Sequence, residues 1–547
     1  MSEWAHPAAP LLAAAVLAAM LPPAGRRVVA LAGPAAALAL AWTLPDGETA
    51  GRLLGHPLVW LRADALGRVF ALAFALIGAL GALYALADPR PRLLASALAS
   101  AAAAEGIALA GDWVTFLLAW EALAVASFVV VGDGGRRAWP AAVRYLFVHA
   151  AGGTLLLSGV VWHRATGGGA RVGPLEAAGP AALVAVAFAI NAAIPPLHAW
   201  LTDAYPESSA AGAVFLSAFA TKAAVYALAR VFAGTEALVW AGVAMALYGV
   251  VFAVLENDIR RLLGYHIVSQ VGYMVAGVGI GTPLALAGTA AHAFCHILYK
   301  GLLMMGAGAV VHATGRRRLT ELGGLGRAMP ATAALYMVGA LSISGAPLLN
   351  GFVSKSLIIA AAEAERREPV VWLLTLAAVG TFLHTGLKLP WFTFGGPTRG
   401  LVPRPVPAPM LAAMTATAGL CLLLGVAPGL LYARLPVAVT YAPYTAAHVL
   451  ESLELLAGTL VGFVLLRRHL GGEPTVTLDT DRVWRGAARW VARTLAPATA
   501  RAADALEARS HALVEGVPGG ATRVPAPGLG YAVLVAVAAL GIVLLVL

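Results

Sequence analysis

The stretch GTAAHAFCHILYKGLLMM, residues 288–305, is apolar enough for a bilayer interior, yet it carries His292, His296 and Lys300. Each is four residues from the next, so a helix lines them up as one stripe. A spanning helix needs about 20 apolar residues, and the sequence around this stretch supplies them. The rest of the chain is alike. Of its 547 residues 60% are hydrophobic and 12% charged, with a mean hydropathy of +0.82. Soluble domains carry about 25% charged residues. Composition therefore predicts a polytopic, all-helical membrane protein, rich in the alanine and glycine that let helices pack closely in lipid.

Charge and cysteine content exclude other classes. The net charge is +10, but the arginines sit in short loops between apolar segments, where membrane orientation explains them better than nucleic-acid binding. Cys295 and Cys421 are far apart in apolar segments, with no disulfide framework or thiol motif. The first apolar run follows no basic stretch and no A-x-A-like site, so it reads as a span rather than a cleaved signal.

About sixteen spans are expected, at 8–22, 28–44, 66–87, 93–110, 113–132, 141–163, 180–201, 206–232, 238–255, 262–281, 286–313, 329–366, 370–394, 408–432, 446–466 and 527–547. Pro195-Pro196 interrupts the seventh, and Pro347 with Gly351 breaks the overlong twelfth. Broken spans are tolerated where protein or a cavity satisfies the freed backbone, and in transporters they mark the pathway. Loops after odd-numbered spans, including Arg26, Arg27, Arg136, Arg137 and Arg316 to Arg318, hold about twice the arginines of the others. That bias places them in the cytoplasm and both termini outside. Between the last two spans, DRVWRGAARWVARTL puts Arg482, Arg485, Arg489 and Arg493 on one helical face and Val483, Ala487, Trp490 and Val491 on another. It reads as an amphipathic helix at the cytoplasmic membrane surface or against a partner subunit.

An ionisable group deep in the bilayer costs roughly 3 kcal/mol or more, so it usually faces a cavity and has a task. Glu121 lies in the fifth span, Lys222 in the middle of the eighth, and the opening stripe in the eleventh. Lys355 follows the break in the twelfth, and Lys388 lies near the end of the thirteenth. The plain alternative for Glu121 and the histidines is hydrogen bonding between helices; for Lys388 it is snorkelling to the interface. A zinc site at His292 and His296 lacks further acidic or Cys ligands at suitable spacing, and Lys300 one turn on would repel the cation, so no metal is expected. Imidazole both donates and accepts and titrates near neutrality. Taken together, the carboxylate, the lysines and the histidine pair favour proton movement over a passive scaffold.

These stretches resemble the antiporter-like subunits shared by respiratory complex I, membrane-bound hydrogenases and Mrp-type sodium/proton antiporters. The likeness runs from roughly residue 90 to 395. It rests on LLAWE, on PPLHAWLTDAYPESSAAGAVFLSAFATKAAVYALAR, on NDIRRLLGYHIVSQVGYM, on HAFCHILYKGLLMMGAGAV and on GAPLLNGFVSK. DAYPES followed by AVFLSAFATKAAVYALAR, with LDTDRVWR near residue 480, looks most similar to the D-type Mrp subunit. The resemblance implies two inverted five-helix repeats with broken helices seven and twelve around a central hydrophilic axis. It also implies proton transfer by Glu121, Lys222, His292, His296, Lys300 and Lys355. His149, Asn191 and Lys388 form a second tier of candidates beside these. One departure stands out. The family usually has a lysine before the seventh-helix break, paired with the fifth-helix glutamate; here Asn191 takes its place. An amide can bond Glu121 but cannot titrate.

The expected organisation is helices 1–3 over residues 1–90, an antiporter-like core over 91–395, helices 14–15 over 396–470, the lateral segment over 471–526 and a last span over 527–547. The expected function is proton conduction in a multisubunit cation/proton antiporter of Mrp type in a bacterial inner membrane. Its partners would be other membrane subunits, protons, possible sodium ions and lipid, with no cofactor and no nucleic acid. The alternatives are a proton-pumping component of a complex I-like dehydrogenase or membrane-bound hydrogenase, the membrane half of an inorganic-carbon uptake complex, and a non-conducting scaffold. No nucleotide loop, haem or iron–sulfur pattern, or catalytic triad is visible. Enzyme status would come only by association with a redox assembly.

Overall fold

The computed structural model describes residues 6–53, 55–175, 178–471, 479–480 and 486. All but the last three of these belong to one compact unit, which spans Met1–Thr475. The chain opens with α1 (Ala8–Met20) and α2 (Pro23–Thr43), then the hairpin β1 (Gly47–Leu53) and β2 (His56–Ala63). There follow α3 (Ala65–Ala85), α4 (Pro91–Leu109), α5 (Trp113–Gly132), α6 (Trp139–Ala165), α7 (Ala178–Asn191), α8 (Ala199–Glu207), α9 (Ala210–Ala218) and α10 (Ala220–Val231). The second half holds α11 (Glu236–Leu255), α12 (Ile259–Ile280), α13 (Pro283–Thr314), α14 (Pro330–Ser344), α15 (Asn350–Ala364), α16 (Glu368–Thr381) and α17 (Leu389–Thr393). Last come α18 (Ala408–Val426), α19 (Gly429–Tyr432) and α20 (Ala446–Leu466).

The protein is a multi-pass helical membrane protein. Among the described residues 12 helical segments are long and apolar enough to cross a membrane, with α9–α10 and α16–α17 each counted as one, and α1, α7 and α14 are shorter apolar helices. The expected number of sixteen is not established, because the range 527–547 lies outside the described residues. So does nearly all of the lateral segment at 471–526, including its amphipathic stretch.

The two breaks expected from proline occur, and the freed backbone groups find partners, as they must away from water. Beyond α7, Trp200 Nε1 donates to the Ile190 carbonyl at 2.9 Å. Between α14 and α15, Gly345 and Leu348 take positive φ, 79° and 71°. There Ser342 Oγ donates to Asn350 Oδ1 and accepts from the Gly351 amide at 3.2 Å. A Cβ at Gly351 would collide with the Ser342 carbonyl, so only glycine lets the two half-helices meet this closely. Counting α4 to α10 as five spans and α11 to α17 as five more, the broken member is fourth in each. Because five is odd, the second group enters the membrane from the opposite side, which is the inverted repeat.

Three features depart from the expected ranges. The eighth span does not begin at 206. Residues 199–207 form α8, the second half of the broken seventh, and the eighth starts at Ala210 under a Ser209 cap whose side chain accepts from the Gly212 amide. It is itself interrupted at Phe219, where φ is −95° and ψ −67°. The thirteenth span carries π-helical turns at Phe382–Lys388. Residues 47–63, between the second and third expected spans, pair antiparallel with a register shift between Thr49 and Ala50; Trp60 is the extra residue there, and the shift breaks the period-two alternation by which a strand is read from sequence.

Candidate functional site

The helices that carry the central charges are interior ones. The apolar windows of α9–α10 and α12 are wholly buried, and that of α13 is 94% buried. Their ionisable groups therefore face protein rather than lipid, as intramembrane charges generally do.

Four buried lysines share one kind of environment. Lys222 Nζ donates to the Ser217 carbonyl at 2.6 Å and to Thr221 Oγ1 at 3.2 Å, and Ser217 is available because the helix breaks at Phe219. Lys355 Nζ donates to the Ile343 carbonyl, on the other side of the α14–α15 break, at 2.6 Å, and sits 5.1 Å from the centroid of the Tyr273 ring. Lys388 Nζ donates to the carbonyls of Val254 at 2.6 Å and Glu256 at 3.1 Å, the electronegative C-terminal end of α11. Lys300 Nζ donates to the Leu263 carbonyl at 3.3 Å. Among the described residues none of these lysines has a carboxylate at ion-pair distance, and only Lys388 feels one from further away, that of Glu256. A carbonyl accepts from an amine and from an ammonium alike, so neither protonation state is locked.

Imidazoles and hydroxyls fill the space between the lysines. His292 Nδ1 lies 3.1 Å from Ser354 Oγ, and its Nε2 lies 3.3 Å from the Tyr299 hydroxyl. Tyr299 reaches Gln270 Oε1 at 3.4 Å, and Gln270 Nε2 reaches Thr381 Oγ1 at 3.4 Å. A polar line thus crosses from α15 through α13 and α12 to α16. Lys222, Lys300, His292 and Lys355 all act electrostatically on His296. Lys300, His384, Lys355 and Lys388 act on His266. The rings of His266 and His384 stand 5.6 Å apart. Among the described residues neither nitrogen of His266, His296 or His384 has a hydrogen-bond partner, and buried polar groups of that kind are ordinarily served by water.

The structure therefore gathers Lys222, His292, His296, Lys300, Lys355 and Lys388. It leaves Glu121, His149 and Asn191 in a separate cluster on α5, α6 and α7. Glu121 packs against Gly153, where a Cβ would collide with its carboxylate. Asn191 does not bond Glu121, as an amide in that place could. It lies beside His149, which stacks on Tyr145 at 4.0 Å. No charged group of the central file acts on Glu121.

Three residues escaped the sequence reading. His266 and His384 extend the file toward Lys388, and His384 stands four residues before that lysine. Glu105, on α4, is fully buried, and neither of its carboxylate oxygens has a hydrogen-bond partner among the described residues. The rule applied to Glu121, an ionisable residue inside an apolar span, would have found all three.

Residues 110–383, half of the chain, match the transmembrane family described as NADH:quinone oxidoreductase/Mrp antiporter. The chain is 31% identical over 407 residues to the A/B component of a probable K(+)/H(+) antiporter of Rhizobium meliloti (strain 1021), covering 67% of this chain and 40% of that protein. It is 34% identical over 283 residues to the D component of the Na(+)/H(+) antiporter of Alkalihalophilus pseudofirmus, covering 48% of this chain and 57% of that one. The matches thus span about half the length of these relatives. Its fold superposes on a chain of the Mrp complex from Dietzia sp. DQ12-45-1b with a TM-score of 0.71 and 25% identity, covering 84% of this chain and 98% of the other. The chain belongs to the NADH:quinone oxidoreductase/Mrp antiporter transmembrane family.

Proposed function

We propose that this chain is the proton-conducting member of a multisubunit cation/proton antiporter of Mrp type. The observation that carries the reading is the set of four buried lysines, each held by backbone carbonyls rather than a carboxylate. An ammonium locked into a buried ion pair is a structural cation; one held by carbonyls can take and release a proton. Histidines able to relay a proton lie between them. The proposed route links Lys222 to His296 and Lys300, then runs by His292 to Lys355 and by His266 and His384 to Lys388. Glu121, with His149 and Asn191, is an outlying station. The names of the antiporter relatives support exchange against sodium or potassium, and the neighbouring Mrp complex supports assembly with other membrane subunits. The bacterial antiporter relatives support a bacterial inner membrane, and the arginine bias of the loops supports both termini outside.

The family description also covers redox-driven assemblies, so a proton-pumping component of such a complex is the second reading. Gentle purification from the native membrane followed by mass spectrometry separates the two. Several small hydrophobic companions without redox proteins are expected. Flavin, iron–sulfur or nickel proteins in stoichiometric amount would overturn the antiporter reading in favour of a redox pump.

A further inference from the structure

Leu348 sits in the break of the twelfth span with φ at 71°, a left-handed conformation that an L side chain rarely adopts. Its side chain does little to hold it there, being 58% exposed. Its amide donates to the hydroxyl of Tyr444 at 3.2 Å, and that hydroxyl donates to the Gly425 carbonyl at 2.5 Å. Gly425 belongs to the last turn of α18, where a helix supplies no donor of its own. One hydroxyl thus serves two backbone groups that secondary structure leaves unpaired, accepting from one and donating to the other.

The parts meet closely. A Cβ at Gly425 would collide with the Leu348 carbonyl and with Leu349 Cα, so the end of α18 lies directly on the break. The Tyr444 ring packs against Phe352 of α15, 5.2 Å between centroids. Tyr432 makes a second contact, its hydroxyl donating to the Val353 carbonyl at 2.7 Å. With α15 and α16, α20 walls a cavity of about 340 Å³ that ends at Lys355. Gly425, Tyr432 and Tyr444 all lie beyond residues 110–383, which match the family description. The break in turn sets the place of Lys355 by two contacts. The ammonium bonds the Ile343 carbonyl at 2.6 Å. Lys355 Cδ lies 4.0 Å from where a Cβ of Gly345 would stand, so the stem of the lysine runs along the turn.

We propose that Tyr444 is a positioning residue for Lys355. Its hydroxyl ties the left-handed Leu348 to the end of α18, and so fixes the turn that presents Ile343 and Gly345 to the lysine. Tyr444 acts through the backbone of the break and carries no proton itself. Its effect on exchange rests on the proton-path reading of Lys355; the tie between Tyr444 and Leu348 does not.

The test compares Tyr444→Phe, Leu348→Gly and the double variant in the intact complex, with Tyr432→Phe as the control. Phenylalanine keeps the ring on Phe352 and removes only the hydroxyl. Glycine takes a positive φ freely, so a break that carries it needs the tie less. Tyr444→Phe should lower the unfolding temperature by a few degrees in the native background and by less beside Leu348→Gly. An equal drop in both backgrounds would overturn the tie. In sealed vesicles Tyr444→Phe should slow exchange several-fold and shift its pH profile, since a lysine displaced from its carbonyl titrates elsewhere; Leu348→Gly should restore both. Slowing with an unmoved profile, or without rescue, would be a loss of general bracing and would overturn the positioning role. So would an equal rescue of Tyr432→Phe by Leu348→Gly. Lys355→Ala separates this role from the reading beneath it. Wild-type exchange by Lys355→Ala would sink the lysine's place in the proton path and leave the tie standing. An inactive Lys355→Ala beside a Tyr444→Phe of normal exchange would sink the positioning role alone.

Discussion

At the scale of single residues, the account turns on what each buried charge touches. Glu121 is the clearest case. Gly153 stands where any side chain would displace its carboxylate, so Gly153→Ala should move Glu121 and slow exchange on the order of tenfold. Alanine favours a helix interior by about 1 kcal/mol over glycine, so the variant should be no less stable. Exchange rate and thermal unfolding measured together check this. A lower melting temperature with normal exchange would contradict it. The sequence made the stripe of His292, His296 and Lys300 legible because spacing of four is a one-dimensional signal. Whether Asn191 meets Glu121 or His149 was not legible, since that depends on how α6 and α7 pack. His266 and His384 were each legible as an ionisable residue inside an apolar span; that they form a pair was not, since only folding brings the two rings within 5.6 Å.

At the scale of elements, the breaks are where the lysines work. Prolines announced those of the seventh and twelfth spans. The break at Phe219 has no proline or glycine to announce it. The residues around it read as continuous helix, and the interruption follows from the packing around it, with Lys222 capping the Ser217 carbonyl. The π-helical turns before Lys388 are similarly silent in sequence. Gly351 offers a test of how much the twelfth-span break depends on close approach. Gly351→Ala drives a methyl into the Ser342 carbonyl; overpacking of this kind costs about 1–3 kcal/mol or more. Because the last turn of α14, across this break, presents the Ile343 carbonyl to Lys355, thermal stability and exchange should fall together. A variant of wild-type stability and activity would show that the break tolerates separation.

At the scale of the whole molecule, two inverted groups of five spans enclose one polar file, and α20 adds an outer wall near Lys355. Composition alone gave the membrane class, and the order of the motifs along the chain gave the family. The connection of the two halves through His296, on which charges from both Lys222 and Lys355 act, needed three dimensions. The most direct test of the central claim is proton exchange by the reconstituted complex with Lys300→Ala in place of the native chain. Lys300 acts electrostatically on both His266 and His296, so it joins the two arms of the file. The account predicts that exchange is lost while the protein remains in the membrane at normal abundance with its partners. Wild-type exchange by that variant would contradict the proton path itself.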